Sequence, residues 1–424
     1  MLAAPLAGFL ARRGIHYGWL MIALTFLVAL GTASAVGMPG VLMVPLHKEF
    51  GWDISEISAP LGMRLLLFGL MGPFSAALIQ RYGMVRIVVV AVAIIVAGVL
   101  ISTRMTRLWQ LWATWGIPLG IATGLTALVL GATVSSRWFT ARRGLVVGML
   151  TAANATGQLI FLPLAAHLAD TVGWRYAVLP PVLLSLVAMV LVILFAVDYP
   201  AQIGLAPYGE TAVLPIPSRA AGNAISNSFA ALADGARSRT FWVLFFSFFV
   251  CGLSTNGLVQ THFIPLCIDM GLAGTVAASM LAVVGGFDFI GTILSGYLSD
   301  RFDNRQLLFW YYGLRGLSLI LLPFSNFSIV GLSVFAVFYG LDWVATVPPT
   351  VRLAAASFGR ERAPVIFGWV FMAHQLGAAV AAFGGGLSRD MLASYLPAFF
   401  LAGIACVIAA GSVLTVRRAV APAR

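Results

Sequence analysis

Residues 81–86 read Arg-Tyr-Gly-Met-Val-Arg and connect two long apolar segments of the chain. Residues 300–305, which read Asp-Arg-Phe-Asp-Asn-Arg, do the same in the second half of the sequence. Arg81 and Arg301 are 220 positions apart. Two basic loops in the same relation to their neighbouring segments indicate an internal repeat of several helices.

A second pair of loops has the same separation. Residues 138–148 read Trp-Phe-Thr-Ala-Arg-Arg-Gly-Leu-Val-Val-Gly, and residues 358–368 read Phe-Gly-Arg-Glu-Arg-Ala-Pro-Val-Ile-Phe-Gly. Gly148 and Gly368 are again 220 positions apart. The repeat therefore covers most of each half of the chain.

The segments between these loops are suited to a membrane. Hydrophobic residues make up 61% of the 424 and charged residues only 9%, too few charges to cover a soluble protein of this length. A span needs about 20 apolar residues, and its backbone must bond internally, which favours helices. The spans are expected at 17–39, 54–79, 84–103, 108–134, 144–169, 173–197, 241–268, 275–298, 307–326, 328–355, 364–388 and 392–416. The expected fold is an all-α membrane protein of twelve transmembrane helices in two pseudo-symmetric six-helix halves.

One long polar stretch divides the twelve spans six and six. We expect a six-helix bundle at 1–197, a linker at 198–240 and a second six-helix bundle at 241–424. The linker is rich in proline and small polar residues and is expected to be flexible, with a short surface helix near 226–236. Asp53 or Ser55 is the expected N-cap of the second span.

The net charge of +11 reports topology rather than nucleic-acid binding. With the N-terminus inside, seventeen basic residues fall on the inner side, five on the outer side and three within spans. Basic residues concentrate in cytoplasmic loops, so both termini are expected to be cytoplasmic. The lipid bilayer, with its anionic headgroups, is the expected partner of this charge, and no nucleic acid is expected.

The loop motif resembles that of a known family. Residues 296–305 resemble the Gly-x-Leu-x-Asp-Arg-x-Gly-x-Arg motif of the major facilitator superfamily, whereas the first-half copy has Ala76 for the glycine and Gln80 for the acid. An acid at a helix end and nearby basic residues can hold a neighbouring helix end in one conformation. Gln80 is expected to weaken the first-half latch. The candidate gating residues are Arg81, Arg86, Arg142, Arg143, Asp300, Arg301 and Arg305.

Three other segments resemble the bacterial monocarboxylate and oxalate/formate branch of that superfamily: His16 to Trp19, the loop at 138–148, and 203–209 after Pro200. This resemblance implies a monomer in the bacterial inner membrane. It also implies a carboxylate site on the eighth span, where the branch has an aspartate and, four residues on, an arginine. Asp288 matches the aspartate, but Thr292 occupies the position of the arginine.

Buried polar side chains supply the site candidates, because a charge at bilayer depth costs about 3 kcal/mol or more. The candidate substrate-binding residues are Arg64, His262, Asn256, Gln158, Tyr17 and His374. The candidate proton-coupling residues are Asp288, Asp342 and His374. Structural alternatives remain open: an ion pair or carbonyl contact for Arg64, pairing with an arginine for either acid, and packing for each histidine. Arg315 is expected to be structural.

The sequence contains no catalytic, nucleotide-binding or metal-ligand motif, so an enzyme, a cofactor and a metal site are not expected. The predicted function is secondary active transport of a small organic solute by alternating access, with a carboxylate as the favoured substrate and protons as the coupling ion. One alternative is a proton-coupled exporter of cationic or neutral compounds. The other is a polytopic membrane sensor or interaction protein.

Overall fold

The computed structural model describes residues 2–126, 128–213, 215–216, 224–359 and 363–416. Besides short 3-10 helices at Pro200–Ile203 and Leu322–Ser325, the chain forms fourteen helices over these ranges, all but two of them long. In chain order they are α1 (Ala3–Arg12), α2 (Tyr17–Phe50), α3 (Ile54–Tyr82), α4 (Met84–Ser102), α5 (in two parts, 108–126 and Leu128–Trp138), α6 (Arg143–Thr171), α7 (Trp174–Phe195), α8 (Ala224–Gly235), α9 (Arg239–Asp269), α10 (Gly274–Ser299), α11 (Asn304–Leu321), α12 (Ile329–Phe358), α13 (Ala363–Leu392) and α14 (Leu396–Val413).

The all-α membrane fold is confirmed. Ten helices, α2 to α4, α7 and α9 to α14, are long and apolar enough to cross a membrane, and α5 and α6 occupy the two remaining predicted spans. No strand occurs in the described ranges, which hold only an isolated bridge between Phe139 and Tyr208. Outward-facing apolar side chains such as Val330 and Leu183 are suited to contact with lipid.

Several helices extend beyond the segments predicted for them, among them α2 and α13. The first span was expected to end at residue 39, but α2 continues to Phe50, where Gly51 at φ 68° ends it in the left-handed region. Lys48 therefore lies in the last turn of α2, beyond the predicted end of the span. Similarly, α13 runs to Leu392 and holds Arg389 in its last turn. Surface helix α8 lies close to the predicted range 226–236.

The internal repeat is visible in the packing of the two halves. A methyl group added at Gly120 on α5 would lie 2.8 Å from the carbonyl oxygen of Arg64 on α3. A methyl group at Gly340 on α12 would lie 2.6 Å from the carbonyl oxygen of Val284 on α10. Both residues of the second contact are 220 positions after those of the first. The duplicated sequence thus produces the same close helix–helix approach in each half.

The halves meet along three helix pairs: α3 with α13, α6 with α10, and α2 with α9. We call the end of the bundle that carries the loops at 81–86 and 300–305 the motif end, and the other end the opposite end. The opposite end carries the start of α3 and the last turn of α13. Side chains near the middle of these helices lie where a central site would form.

Candidate functional site

Arg64 is a buried cation placed against an interrupted helix. Its side chain on α3 is 3% exposed, and its two terminal nitrogens donate to the carbonyls of Ala35 (3.1 Å) and Val36 (3.0 Å) on α2. Pro39 has no amide hydrogen, so the Ala35 carbonyl has no partner four residues on. The guanidinium therefore satisfies an acceptor that the helix itself cannot.

Arg64 nevertheless retains unused donor capacity. Its Nε has no hydrogen-bond partner, although a guanidinium offers five N–H groups. In the described part of the chain, no ion pair joins Arg64 to a carboxylate. A buried cation without a counter-charge is costly, and its free edge suits an anion.

A second interrupted helix lies in the C-terminal half. Between Asp342 and Val347, α12 forms a turn instead of a helix. Pro349 cannot donate to the carbonyl of Ala345, and the Ser295 hydroxyl on α10 donates to it instead at 2.5 Å. The interruption is therefore held by side chains from neighbouring helices, as irregular backbone at bilayer depth requires.

Asp288 on α10 accepts a hydrogen bond from the freed amide of Val344 at 2.9 Å. The same oxygen accepts from the Thr292 hydroxyl at 3.0 Å. The residue that replaces the arginine of the related branch thus contacts the aspartate directly, but as a neutral donor. No described cation lies within ion-pair distance of the Asp288 carboxylate.

Asp342, the other acid well inside a predicted span, is buried and paired. Arg315 on α11 donates through Nε to its carboxylate at 2.7 Å and through Nη2 to the carbonyl of Trp343 at 3.1 Å. Its Nη1 lies 2.9 Å from the sulfur of Cys251 on α9. Each nitrogen of Arg315 has a protein partner, and Arg315 is 1% exposed. The geometry corresponds to the structural alternative for Asp342 and to the structural role expected of Arg315.

Both candidate histidines link α9 to α13. His262 donates from Nε2 to the carbonyl of Ala382 at 2.7 Å, whereas its Nδ1 has no partner. His374 stacks on Phe371 and lies 3.5 Å from the Thr255 hydroxyl. The neighbouring Gln375 is 1% exposed, and its Oε1 has no partner. Both histidines occupy packed positions, and the polar atoms left without a partner here are Nδ1 of His262 and Oε1 of Gln375.

The remaining candidates are not all brought together. Asn256 lies half-buried in the π-helical turn of α9, and its carbonyl accepts from Thr261. Tyr17 begins α2 and donates to the carbonyl of Phe195 at 2.7 Å. At 1.5 Å rise per residue it lies roughly 27 Å along α2 from the Ala35 carbonyl, so it does not meet Arg64. Gln158 and Arg143 lie outside the described side chains.

The second-half loop forms a network of charges. Asp300 at the end of α10 forms an ion pair with Arg352 on α12. Asp303 accepts from the backbone amide of Arg305 (3.0 Å) and pairs with its guanidinium (2.7 Å). Arg301 lies over the ring of Tyr297 at 4.2 Å. The signature acid therefore joins the end of α10 to the second part of α12, in the same half.

In the first-half loop, an acid comes from a different helix. The Asp198 carboxylate, just beyond α7, accepts from the backbone amide of Val85 at 2.9 Å. Arg137 donates to the Asp198 carbonyl at 3.4 Å. Arg81 and Arg86 are exposed. Sequence reasoning missed Asp198, because only the fold brings the end of α7 beside this loop.

The three segments that resemble the monocarboxylate branch meet at the motif end. Tyr208 donates its amide to the carbonyl of Trp138 at 2.8 Å and accepts from the amide of Thr140 at 2.9 Å. His16 contacts the carbonyl of Ala206 at 3.0 Å. Arg142, at φ 60°, lies 5.9 Å from the Tyr208 ring. The segment after α7 is thus held against the loop between α5 and α6.

Two repeated helical halves that meet around buried polar groups at interrupted helices are the architecture of a membrane transporter. The model of the Major Facilitator Superfamily matches residues 25–382 and 268–423, and the chain belongs to that family. It is a multi-pass membrane transporter and not an enzyme.

Curated relatives cover nearly the whole chain. An uncharacterised MFS-type transporter, YcxA, of Bacillus subtilis (strain 168) is 26% identical over 89% of this chain and 90% of its own. Monocarboxylate transporter 13 of Rattus norvegicus is 25% identical over 94% of this chain and 89% of its own.

Solved structures share the fold. A D-xylose–proton symporter has a TM-score of 0.74 at 13% identity, covering 95% of this chain and 98% of its own. A nucleoside transporter has a TM-score of 0.72 at 10% identity, covering 94% of this chain and 100% of its own. At these identities the likeness concerns the fold alone.

Proposed function

We propose that this transporter carries a small organic carboxylate by alternating access, coupled to protons. The observation that carries the proposal is Arg64, a buried guanidinium with a free Nε and no described counter-charge. A carboxylate that accepts from this edge supplies the missing negative charge. The likeness to a monocarboxylate transporter supports the same substrate class.

Asp288 is the proposed proton carrier. The Asp342 carboxylate is paired with Arg315, whereas the Asp288 carboxylate accepts only from the neutral donors Thr292 and Val344. A proton taken up by Asp288 together with a bound anion reduces the charge that crosses the low-dielectric interior. Because Asp288 contacts the interruption of α12, its protonation also weakens a bond that holds that turn.

Ligand-dependent melting of purified protein tests the carboxylate site. A screen of small carboxylates is expected to yield at least one that stabilises the wild type, by about 3 kcal/mol at a hundred times its Kd. Arg64→Gln is expected to abolish this stabilisation, and Arg64→Lys to weaken it because the planar fork is lost. The neutral amide of the same compound is expected to have no effect.

Arg175→Gln is the matched control, because Arg175 is also an arginine of the first half but pairs with Glu49 at the opposite end. This variant is expected to keep the ligand response. If Arg64→Gln kept it as well, Arg64 would not bind the substrate. A screen in which cations stabilise the protein and carboxylates do not would favour the exporter instead.

Uptake into proteoliposomes with an imposed pH gradient tests the proton role. Asp288→Asn is expected to abolish accumulation driven by the gradient while leaving exchange of solute across the membrane. Thr292→Val, which removes a donor but keeps the carboxyl group, is expected to retain accumulation. Full accumulation by Asp288→Asn would exclude Asp288 as the carrier.

A further inference from the structure

At the opposite end, a carboxylate of one half binds the first turn of a helix in the other half. Asp390, in the last turn of α13, accepts from the amides of Ile54 (Oδ1, 3.2 Å) and Ser55 (Oδ2, 2.7 Å). These are the first two amides of α3, which have no partner within their own helix. Each carboxylate oxygen therefore satisfies one amide across the boundary between the halves.

The helices approach closely at the same level. A methyl group added at Gly386 on α13 would lie 2.9 Å from Cα of Ser55 and 2.6 Å from Oγ of Ser58. Further along the pair, a methyl group at Gly62 would lie 2.9 Å from the carbonyl oxygen of Ala379. The contact between α3 and α13 is therefore tight from the opposite end towards the middle of the bundle.

Towards the motif end, a third element bridges the same two helices. Phe229 on α8 contacts Phe74 on α3, at 6.3 Å between ring centroids, and Trp369 on α13, at 5.4 Å. A methyl group at Gly72 on α3 would meet nothing within 4 Å. In this conformation, α3 and α13 thus touch each other directly at the opposite end and contact a common aromatic side chain at the motif end.

We propose that Asp390 is a positioning residue of the transport cycle, which holds the opposite end closed by capping α3 from the other half. Alternating access requires the two halves to separate at this end. Separation removes both acceptors from the first turn of α3, so the carboxylate favours the closed state through its hydrogen bonds and its charge. The proposal rests on the alternating access proposed above but concerns the motion and not the cargo, so it does not depend on Arg64 or Asp288.

An adjacent ion pair provides the matched control. Arg389 donates from Nε to Asp269 at 2.5 Å, in the same turn of α13, but Asp269 ends α9 of the same half. Breaking this pair removes a charge contact at the opposite end without touching the boundary between the halves. Asp269→Asn is therefore expected to leave the equilibrium between open and closed states unchanged.

Spin labels at Lys48 and Met391 report the separation of the halves at this end. Both positions are exposed, on α2 and α13 respectively, and the native cysteines at 251, 267 and 406 are buried. We expect Asp390→Asn, which leaves one acceptor for two amides, to raise the population with long inter-label distances roughly tenfold in full-length protein in nanodiscs. Gly386→Ala is expected to shift the distances in the same direction by steric contact.

The comparison of variants decides the proposal. Asp390→Asn and Asp269→Asn are expected to lower the melting temperature to a similar extent, whereas only Asp390→Asn changes the distance distribution. Identical distributions for the wild type, Asp390→Asn and Asp269→Asn would overturn the role of Asp390. If Asp390→Asn does not fold, the same measurement on Gly386→Ala tests whether this contact keeps the end closed, and an unchanged distribution there counts against it.

Discussion

At the scale of single residues, the two buried arginines have different environments although both lie deep in predicted spans. Arg315 has an acid, a thiol and backbone carbonyls as partners, whereas Arg64 has two carbonyls and a free Nε. Under the proposed function, Arg64 therefore binds the solute through its free Nε, whereas Arg315 has no unpaired nitrogen to offer. We expect substitution of Arg64 mainly to reduce ligand binding, and substitution of Arg315 mainly to reduce the free energy of unfolding.

Asp342→Asn tests the structural pair. It leaves the Arg315 guanidinium buried without its counter-charge, and we expect a loss of about 3–5 kcal/mol in the free energy of unfolding. Asp300→Asn breaks the Asp300–Arg352 pair, whose side chains are about half exposed, and should cost at most about 1 kcal/mol. Equal losses in a denaturant titration of the two variants would contradict the structural assignment.

The sequence identified the buried charges but not their partners. Arg64, Asp288, Arg315 and Asp342 are visible as charges within apolar segments. Apart from Thr292, which lies on the same helix as Asp288, their partners belong to other helices or are carbonyls at the interruptions of α2 and α12. The identity of the neighbouring helix depends on packing. The start of the second span shows the same limit. Asp53, one of the two expected residues, is the N-cap and forms a capping box with Glu56. The sequence does not reveal that Asp390 binds the amides of Ile54 and Ser55.

At the scale of helices, glycines set how closely neighbours approach. We expect Gly340→Ala and Gly120→Ala each to destabilise the protein by about 1–3 kcal/mol, because each methyl group would overlap a backbone carbonyl of the adjacent helix. Gly411→Ala is the control, since a methyl group on α14 at that position would meet nothing within 4 Å and should raise helix propensity. Thermal unfolding of the three variants distinguishes packing from propensity.

The outcome also tests whether the repeated glycine contact contributes equally to the stability of the two halves. If the two contacts are equivalent, Gly120→Ala and Gly340→Ala are expected to lower the free energy of unfolding by the same amount. Gly116, Gly120 and Gly124 recur every four residues in the sequence, a spacing that favours close packing on one side of the helix. The contact of each glycine with a particular carbonyl follows only from the fold. The π-helical turns at Trp112–Gly116 and Leu253–Val259 likewise have no pattern in the sequence that predicts them.

At the scale of the whole molecule, the asymmetry of charge predicts the orientation in the membrane. The motif end carries most of the basic side chains, which are retained on the cytoplasmic side of bacterial membranes. Both termini and the segment around α8 are therefore expected inside, and the last turns of α2 and α13 outside. Helix packing is the same in this orientation and in its inverse. The orientation therefore follows from the charge distribution alone, and a direct measurement of sidedness tests it.

Labelling of single cysteines by a membrane-impermeant maleimide provides that test. Lys48→Cys and Met391→Cys are expected to react in intact cells, whereas Arg12→Cys and Arg237→Cys, also at exposed positions, are expected to react only after the membrane is permeabilised. Reaction after permeabilisation confirms that each cysteine is accessible, so protection in intact cells reports the side of the membrane. The reverse pattern would place the basic loops outside, and the charge asymmetry would then require a cause other than insertion.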